Sequence, residues 1–282
     1  MVMQAGLQTK YENLLNMIRT YGSVSIAFSG GVDSTFLTRA AVEALGRDRV
    51  VCVTARAASF PGRETDEAKA FCEGLQIRHE FIDFDEFEVS GFSDNPPDRC
   101  YLCKSALFSM IIAAAEQAGA PVVFEGTNAD DASDFRPGMR AIAELGVKSP
   151  LREAGLTKDD IRQVSKALNL PTWDKPSFAC LASRFAYGEK ITKEKLDMTG
   201  RAEQFLLDKG FKFVRVRIHG EEHFIARIEL WPEDIEKLAE GLLREAVNAY
   251  FKKLGFAYVT LDLMGYRTGS MNEVLTAEEL NL

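Results

Sequence analysis

The stretch VSIAFSGGVDSTFLTRAAVEAL, residues 24–45, decides the fold. VSIAF (24–28) is a short β-rich run of the kind that forms a buried strand. From Ser34 onward apolar residues recur at helical spacing until Gly46, a residue that suits a helix end. Between the two, SGGVDS (29–34) places Gly30 and Gly31 side by side, so the backbone is free to turn and to approach a ligand closely. The amides at the head of the following helix then face a ligand, and the helix dipole favours negative charge there. Ser29 and Ser34 add hydroxyl donors, while Asp33 is odd for an anion site unless it orients the loop or works with a cation. The plain alternative is a tight strand–helix turn that binds nothing.

The pattern continues on both sides. KYENLLNMIRTY (10–21) reads as a helix, RVVCVTA (49–55) as a strand and ETDEAKAFCEGL (64–75) as a helix. IRHEFIDF (77–84) is strand-like, CYLCKSALFSMIIAAAEQAG (100–119) a long helix, and PVVFEG (121–126) a buried strand. Strand and helix in alternation predict an α/β fold, a parallel sheet with helices on both faces and ligands beyond the C-terminal strand ends. Periodicity breaks near LPTWDKPSFACLASR (170–184), and the order of elements then changes. A helix over about 193–209 precedes two adjacent strands, KFVRVRIHG and HFIARIEL, joined at Gly220. WPEDIEKLAEGLLREAVNAYFKKLG reads as one helix with Pro232 at its start, and FAYVTLDL (256–263) as a last strand. The expectation is two domains, 1–175 and a smaller α+β domain at 176–282.

Composition sets the outer bounds. The 282 residues carry 34 Lys and Arg against 42 Asp and Glu, a net charge of −8, with 46% hydrophobic and 27% charged residues. Collagen-like and disordered classes are excluded. An acidic chain is a poor general partner for nucleic acid. Nothing approaches the roughly 20 apolar residues of a membrane span. The N-terminal residues lack the basic, apolar and small-residue order of a signal peptide, so a reducing cytoplasmic location is expected.

SGGVDS has no Lys after its last Gly, which separates it from the Walker phosphate loop. It resembles instead the SGGxDS signature of the PP-loop pyrophosphatases, which cleave ATP between the α- and β-phosphates and leave AMP on a substrate oxygen. GTNADD (126–131) resembles that family's G-x-N-x-x-D segment, close to the nucleotide, and brings in Asn128, Asp130 and Asp131. By itself it is equally an ordinary Asx turn. SPLREAGLTKDDIR (149–162) resembles a third PP-loop region. ATP with Mg²⁺ is the nucleotide that this resemblance implies.

Five cysteines are an odd number in a chain that is not small, so a disulfide framework is not expected. Cys52 and Cys72 read as buried small hydrophobes. Cys100 and Cys103 form a CxxC at the head of a helix, where a thiol ionises more readily, and Cys180 lies in an irregular segment with Lys175 and Arg184 near it in sequence. Three readings are open for these cysteines: a 4Fe–4S cluster with one iron uncoordinated by protein, a structural zinc short of a fourth ligand, or three unrelated buried thiols. A redox CxxC lacks a thioredoxin-like surround.

Together SGGVDST, NPPDRCYLCK, GTNADD, RPG at 136–138 and KPSFACLASRFAYGEKIT resemble the LarE family of ATP-dependent sulfur transferases, over about residues 25–230. The resemblance implies adenylylation of the carboxylates of pyridinium-3,5-biscarboxylic acid mononucleotide and replacement of the activated oxygen by sulfur, on the way to a nickel-pincer nucleotide. The N-terminal domain would then bind ATP, and the C-terminal domain would serve sulfur transfer and oligomerisation. The family delivers sulfur in two ways. In one, the cysteine matching Cys180 gives up its own sulfur and becomes dehydroalanine. In the other, three cysteines hold a 4Fe–4S cluster. The CxxC places this chain with the second, with Cys100, Cys103 and Cys180 as ligands and sulfide or another sulfur donor as partner. The resemblance also implies a homo-oligomer.

VRVRIHG puts Arg215 and Arg217 on one side of a strand, with Val214, Val216 and Ile218 toward the core. Outward arginines are either a solvated face or forks for a phosphate. The family associates this region with the substrate phosphate, which favours binding by Arg215 and Arg217, with Arg184 as a further candidate. Glu189 and Glu229 are candidate supports for the site or for a metal ion. Other classes remain: a tRNA-thiolating enzyme, which asks for a basic surface; an amide-forming synthetase, which leaves the cysteines without a role; and a nucleotide-binding scaffold with a dead loop, against which Ser29, Asp33 and Ser34 stand.

Overall fold

The computed structural model describes residues 5–133, 137–177 and 179–276. Arg136 of the RPG stretch and Phe178 of the Cys180 segment lie outside the described residues. The chain divides into two compact units. Unit 1 comprises residues up to 57, 62–85 and 100–178; unit 2 comprises 58–61, 86–99 and 179 onward. Unit 2 therefore takes two short segments from the N-terminal half.

Unit 1 is α/β. Its elements run α1 (Ala5–Arg19), β1 (Val24–Ala27), α2 (Val32–Leu45), β2 (Val50–Arg56), α3 (Gly62–Leu75), β3 (Arg78–Asp83), α4 (Arg99–Gln117) and β4 (Val122–Phe124). Three further helices follow, α5 (Pro137–Glu144), α6 (Pro150–Glu153) and α7 (Lys158–Ala167). The sheet has the order β3-β2-β1-β4 with every pair parallel, as the alternation predicted. The chain moves from β1 to β2 to β3 on one side and returns with β4 on the other, so the order reverses beside β1. Ligand crevices in open α/β sheets form at such a reversal. Val24, Ile26, Phe36, Cys52, Cys72 and Phe124 are fully or almost fully buried in one core, which confirms the packing role of the two early cysteines.

Unit 2 carries α8 (Lys193–Asp208), β5 (Val214–His219), β6 (Ile225–Leu230), α9 (Ile235–Ala239), α10 (Gly241–Leu254) and β7 (Tyr258–Leu261). β5 and β6 are antiparallel, with Val214 opposite Leu230 and His219 opposite Ile225. β7 runs parallel to β6, because the intervening helices return the chain to the same end. The single helix expected after Pro232 is two helices in the structure. Glu240 is extended (φ −64°, ψ 141°) and separates α9 from α10. Helical periodicity does not register one extended residue, although Gly241 directly after it is a weak helix former that marks the break. No helix among the described residues is long and apolar enough to cross a membrane.

Candidate functional site

In unit 1 the loop after β1 is shaped by its own side chains. Gly30 has φ +69°, and a Cβ there would stand 3.2 Å from the Glu64 carbonyl, so both backbone angle and space call for glycine. The Ser29 and Ser34 hydroxyls lie 3.1 Å apart, and Ser34 Oγ also accepts from the Ser29 amide at 3.3 Å. Gly31 caps α2 without any side-chain hydrogen bond to the first helical amides. Those donors form an anion cradle beside the two hydroxyls.

The segment after β4 meets the same loop. Asn128 Nδ2 donates to Asp33 Oδ1 at 3.4 Å, and the Asn128 amide donates to Asp131 Oδ2 at 3.0 Å. Gly126 permits the approach, since a Cβ there would lie 3.1 Å from Asp33 Cβ and 3.2 Å from the Ser34 amide. Buried Glu125 anchors the segment by accepting from the Thr127 amide at 3.0 Å, the Thr127 hydroxyl at 2.7 Å and the Ser149 hydroxyl. Ser29, Gly30, Gly31, Asp33, Ser34, Asn128 and Asp131 thus gather at the reversal of strand order.

Residues 149–162 earn their pattern one by one. Ser149 holds Glu125, Leu151 and Ile161 are fully buried, and Thr157 forms a capping box with Asp160 at the head of α7. Lys158 pairs with Asp33, and its amide donates to Asp130 Oδ2 at 2.8 Å. Arg162 donates to the carbonyls of Trp173 and Lys175, both at 2.7 Å. The Lys175 ammonium then reaches Gly30 O at 3.1 Å, Glu64 at 2.7 Å and Glu67 at 2.6 Å. Lys175, read from sequence as a cationic neighbour of Cys180, directs its charge to these carboxylates and the glycine loop instead. Lys158 was missed as a site residue although it stands inside the quoted motif. Its pairing joins positions 125 residues apart, which local pattern does not reveal.

Cys100 and Cys103 open α4, one turn apart on one helix face, with Cys100 exposed and Cys103 half-buried. Gly138 packs on this turn; a Cβ there would stand 3.2 Å from the Cys100 carbonyl and 2.6 Å from Lys104 Cδ.

In unit 2, Cys180 is half-buried at the head of a short 3-10 turn, Leu181–Arg184. Arg184 is 1% exposed and forks onto Glu203, Nε to Oε1 at 2.6 Å and Nη2 to Oε2 at 2.9 Å. Its Nη1 donates to the carbonyls of Ala179 at 3.2 Å and Cys180 at 3.3 Å. Arg217 makes a second buried pair, with Nε and Nη2 on Glu229 Oε2 at 3.0 and 2.8 Å and Nη1 on the Ser183 carbonyl at 2.8 Å. The strand face expected to be outward is thus covered, with Arg215 3% and Arg217 5% exposed. Glu203 also accepts from the Val216 amide on β5 at 2.8 Å. Glu189 accepts from the Gly220 amide at 3.3 Å, and Glu229 lies 3.2 Å from Arg227, so both carboxylates engage neighbouring protein groups.

Burial drives the Glu203 carboxyl upward, but the charges of Arg184 and Arg215 and the Val216 N–H outweigh it and hold the group below its ordinary 4.5. Burial and the like charge of Arg184 pull the Arg215 guanidinium down to about 9. Glu203 had one legible signal. It falls in register with buried Leu196, Thr199 and Leu206, an acid on the apolar face of α8. Glu203→Gln removes half of a buried pair and is expected to cost about 3–5 kcal/mol. The sign with pH follows from the depressed carboxyl: its contribution is complete above pH 4.5 and fades as acid protonates the folded state below that. Denaturant titrations at several pH values should show a shallower acid-side loss in Glu203→Gln than in wild type.

The NAD synthase family profile matches residues 8–99. A pyridinium-3,5-bisthiocarboxylic acid mononucleotide synthase from Lactiplantibacillus plantarum is 37% identical over 277 residues, 98% of both chains. The chain belongs to the LarE family of ATP-dependent sulfur transferases. An uncharacterised protein of Synechocystis sp. is 42% identical over 270 residues, 96% of this chain and 99% of its own. An uncharacterised protein of Methanocaldococcus jannaschii is 29% identical over 245 residues, 87% of this chain and 91% of its own. LarE-type use of ATP, with AMP and pyrophosphate released, matches the loop geometry of unit 1. A 4Fe–4S cluster finds three suitable donors in kind, none of them in a disulfide. Among the described residues, however, no group of three or more His, Cys, Asp or Glu side chains is gathered as a metal site.

Proposed function

We propose that this LarE-family enzyme converts pyridinium-3,5-biscarboxylic acid mononucleotide to the bisthiocarboxylic acid. The observation that carries this reading is the 37% identity to the Lactiplantibacillus synthase across 98% of the chain. A carboxylate oxygen attacks the α-phosphorus of Mg·ATP and pyrophosphate leaves. A sulfur anion then attacks the acyl carbon and AMP departs, a far better leaving group than oxide. In this reading Ser29, Ser34, the α2 amides and Lys158 hold the phosphates, and Asn128 and Asp131 shape the opposite wall. Asp33 sits where Mg²⁺, bound mostly by phosphate oxygens and water, would meet a carboxylate. Incubation of the enzyme with the mononucleotide, Mg·ATP and sulfide should release pyrophosphate and replace carboxylate oxygen by sulfur in the product. Pyrophosphate release triggered by tRNA or ammonia, and not by the mononucleotide, would sink the reading.

The substrate phosphate is assigned to Arg215, with Arg184 and Arg217 behind it. The family resemblance of this stretch supports that assignment, with Arg215 on β5 donating from Nη1 to the Val214 carbonyl at 3.0 Å and the forks of Arg184 and Arg217 on Glu203 and Glu229. Arg215→Met should weaken the mononucleotide by about 10- to 100-fold, the worth of one charge-assisted hydrogen bond. ATP affinity should stay unchanged, and folded stability should fall, because Arg215 is one of the charges that hold buried Glu203 ionised. Calorimetric titration with each ligand checks the split, and equal weakening of both removes Arg215 from the phosphate site.

Sulfur delivery is assigned to Cys100, Cys103 and Cys180 as holders of a 4Fe–4S cluster, supported by the exposed CxxC turn of α4. When bound, such a cluster supplies exchangeable sulfide at the iron that protein leaves open. In the second reading Cys180 surrenders its own sulfur and becomes dehydroalanine. A reducing cytoplasm and a homo-oligomeric state belong to the same proposal.

A further inference from the structure

We infer that Arg99 is a positioning residue for sulfur transfer, holding the loop that carries Cys180 through the Ala182 carbonyl. The inference rests on the reading that Cys180 takes part in that transfer. After the 3-10 turn at Leu181–Arg184 the chain up to Ile191 forms no helix or strand. A loop of this kind keeps one shape only through hydrogen bonds supplied from elsewhere. Beside Arg184 on the Cys180 carbonyl, Arg217 on the Ser183 carbonyl and the bridge from Phe185 to Ile218, part of the supply comes from the two short segments that unit 2 takes from the N-terminal half. The Leu181 amide donates to the Ser59 carbonyl at 2.9 Å, and the Ser59 amide is itself held by buried Glu86 at 2.7 Å. The Gly188 amide donates to the Asn95 carbonyl at 2.9 Å and the Ile191 amide to the Ser93 carbonyl at 2.8 Å.

Asn95 and Arg99 close this set of contacts. Asn95 is fully buried in the left-handed region at φ +54°, a conformation asparagine tolerates better than most residues. Its side-chain amide donates to the Ala186 carbonyl at 2.6 Å. Arg99 is 5% exposed and donates from Nη1 to the Ala182 carbonyl at 2.9 Å and to Asn95 Oδ1. One guanidinium therefore fixes Ala182, two residues beyond Cys180, and through Asn95 fixes Ala186. Arg99 is also the residue before Cys100 and the first of α4. Both bonds leave Nη1, whose N–H directions are fixed in the guanidinium plane, and a lysine reproduces that direction only in part. Direction matters because displacing a reacting sulfur by roughly 1 Å costs about 10²-fold in rate.

The test uses the full-length enzyme with Arg99→Met and Arg99→Lys. In Arg99→Met, thiocarboxylate formation should fall by about 10²-fold, while the first-turnover burst of pyrophosphate and the Kd for the mononucleotide stay within about threefold of wild type. Arg99→Lys should recover a large part of the lost transfer. Iodoacetamide should alkylate Cys180 severalfold faster in Arg99→Met, read by peptide mass spectrometry. Wild-type sulfur transfer in Arg99→Met overturns the inference, as does loss of the first-turnover pyrophosphate burst in step with it. If the wild-type enzyme forms no thiocarboxylate, the proposed function fails, and an unchanged Cys180 alkylation rate then overturns the positioning role on its own. Should Arg99→Met not fold, Arg99→Gln keeps a polar side chain too short to reach both Ala182 and Asn95, and the same split is expected.

Discussion

Asp33→Ala should lower mononucleotide-dependent pyrophosphate release by about 10²–10³-fold, the scale seen when one preorganised electrostatic group is removed from a reacting centre. Asp33 stands at the first turn of α2, paired with Lys158 and touched by Asn128 at 3.4 Å. Its removal takes away the carboxylate proposed to face a phosphate-bound cation and leaves Lys158 without this partner. The side chain is partly exposed, so the fold is expected to survive, with circular dichroism and melting behaviour close to wild type. Gly30→Val reaches the same end by a different route. It forces a β-branched residue to φ +69° and drives a Cβ to 3.2 Å from the Glu64 carbonyl, so the cradle itself is displaced. Normal pyrophosphate release from both variants would remove the glycine loop from the mechanism.

The second large effect separates the two sulfur routes. Changing any one of Cys100, Cys103 or Cys180 to Ala should remove most bound iron from anaerobically prepared protein, because two thiolates hold a 4Fe–4S cluster poorly. Sulfur transfer should stop in all three variants. Adenylylation should continue, since the glycine loop is built from other residues. With sulfide supplied, wild-type enzyme should turn over repeatedly and Cys180 should keep its sulfur. The sacrificial route predicts the opposite on each count: Cys100→Ala stays active, each chain acts once, and intact-protein mass spectrometry finds the chain lighter by one H₂S. Dehydroalanine at position 180 in a protein that retains Cys100 and Cys103 would refute the cluster assignment.

Much of unit 1 was legible because its information is local. A buried parallel strand needs a short apolar run, a helix needs its period, and a phosphate cradle between them needs glycines whose reason is backbone angle. Those demands act over a few residues and leave a pattern in them. SGGVDS is legible from its own residues, whereas GTNADD, by itself an ordinary Asx turn, joins it through the PP-loop resemblance, and the strand order brings Asp33 and Asn128 to one crevice. The family resemblance of the longer motifs added the chemistry, and near full-length identity to a known synthase agrees with it.

What the tertiary structure alone decided lies in pairings between distant residues. Strand alternation correctly put Arg215 and Arg217 on one side of β5, but alternation says which side chains share a face and not what covers that face. The cover comes from Glu229 on β6 and the Ser183 carbonyl, which hold Arg217, and from Glu203 on α8 beside Arg215, so a face expected to point outward is buried. Lys158 with Asp33, Lys175 with Glu64 and Arg99 with Ala182 are of the same kind. A buried charge must find a partner wherever the fold brings one, and nothing in the neighbouring residues encodes which partner that is.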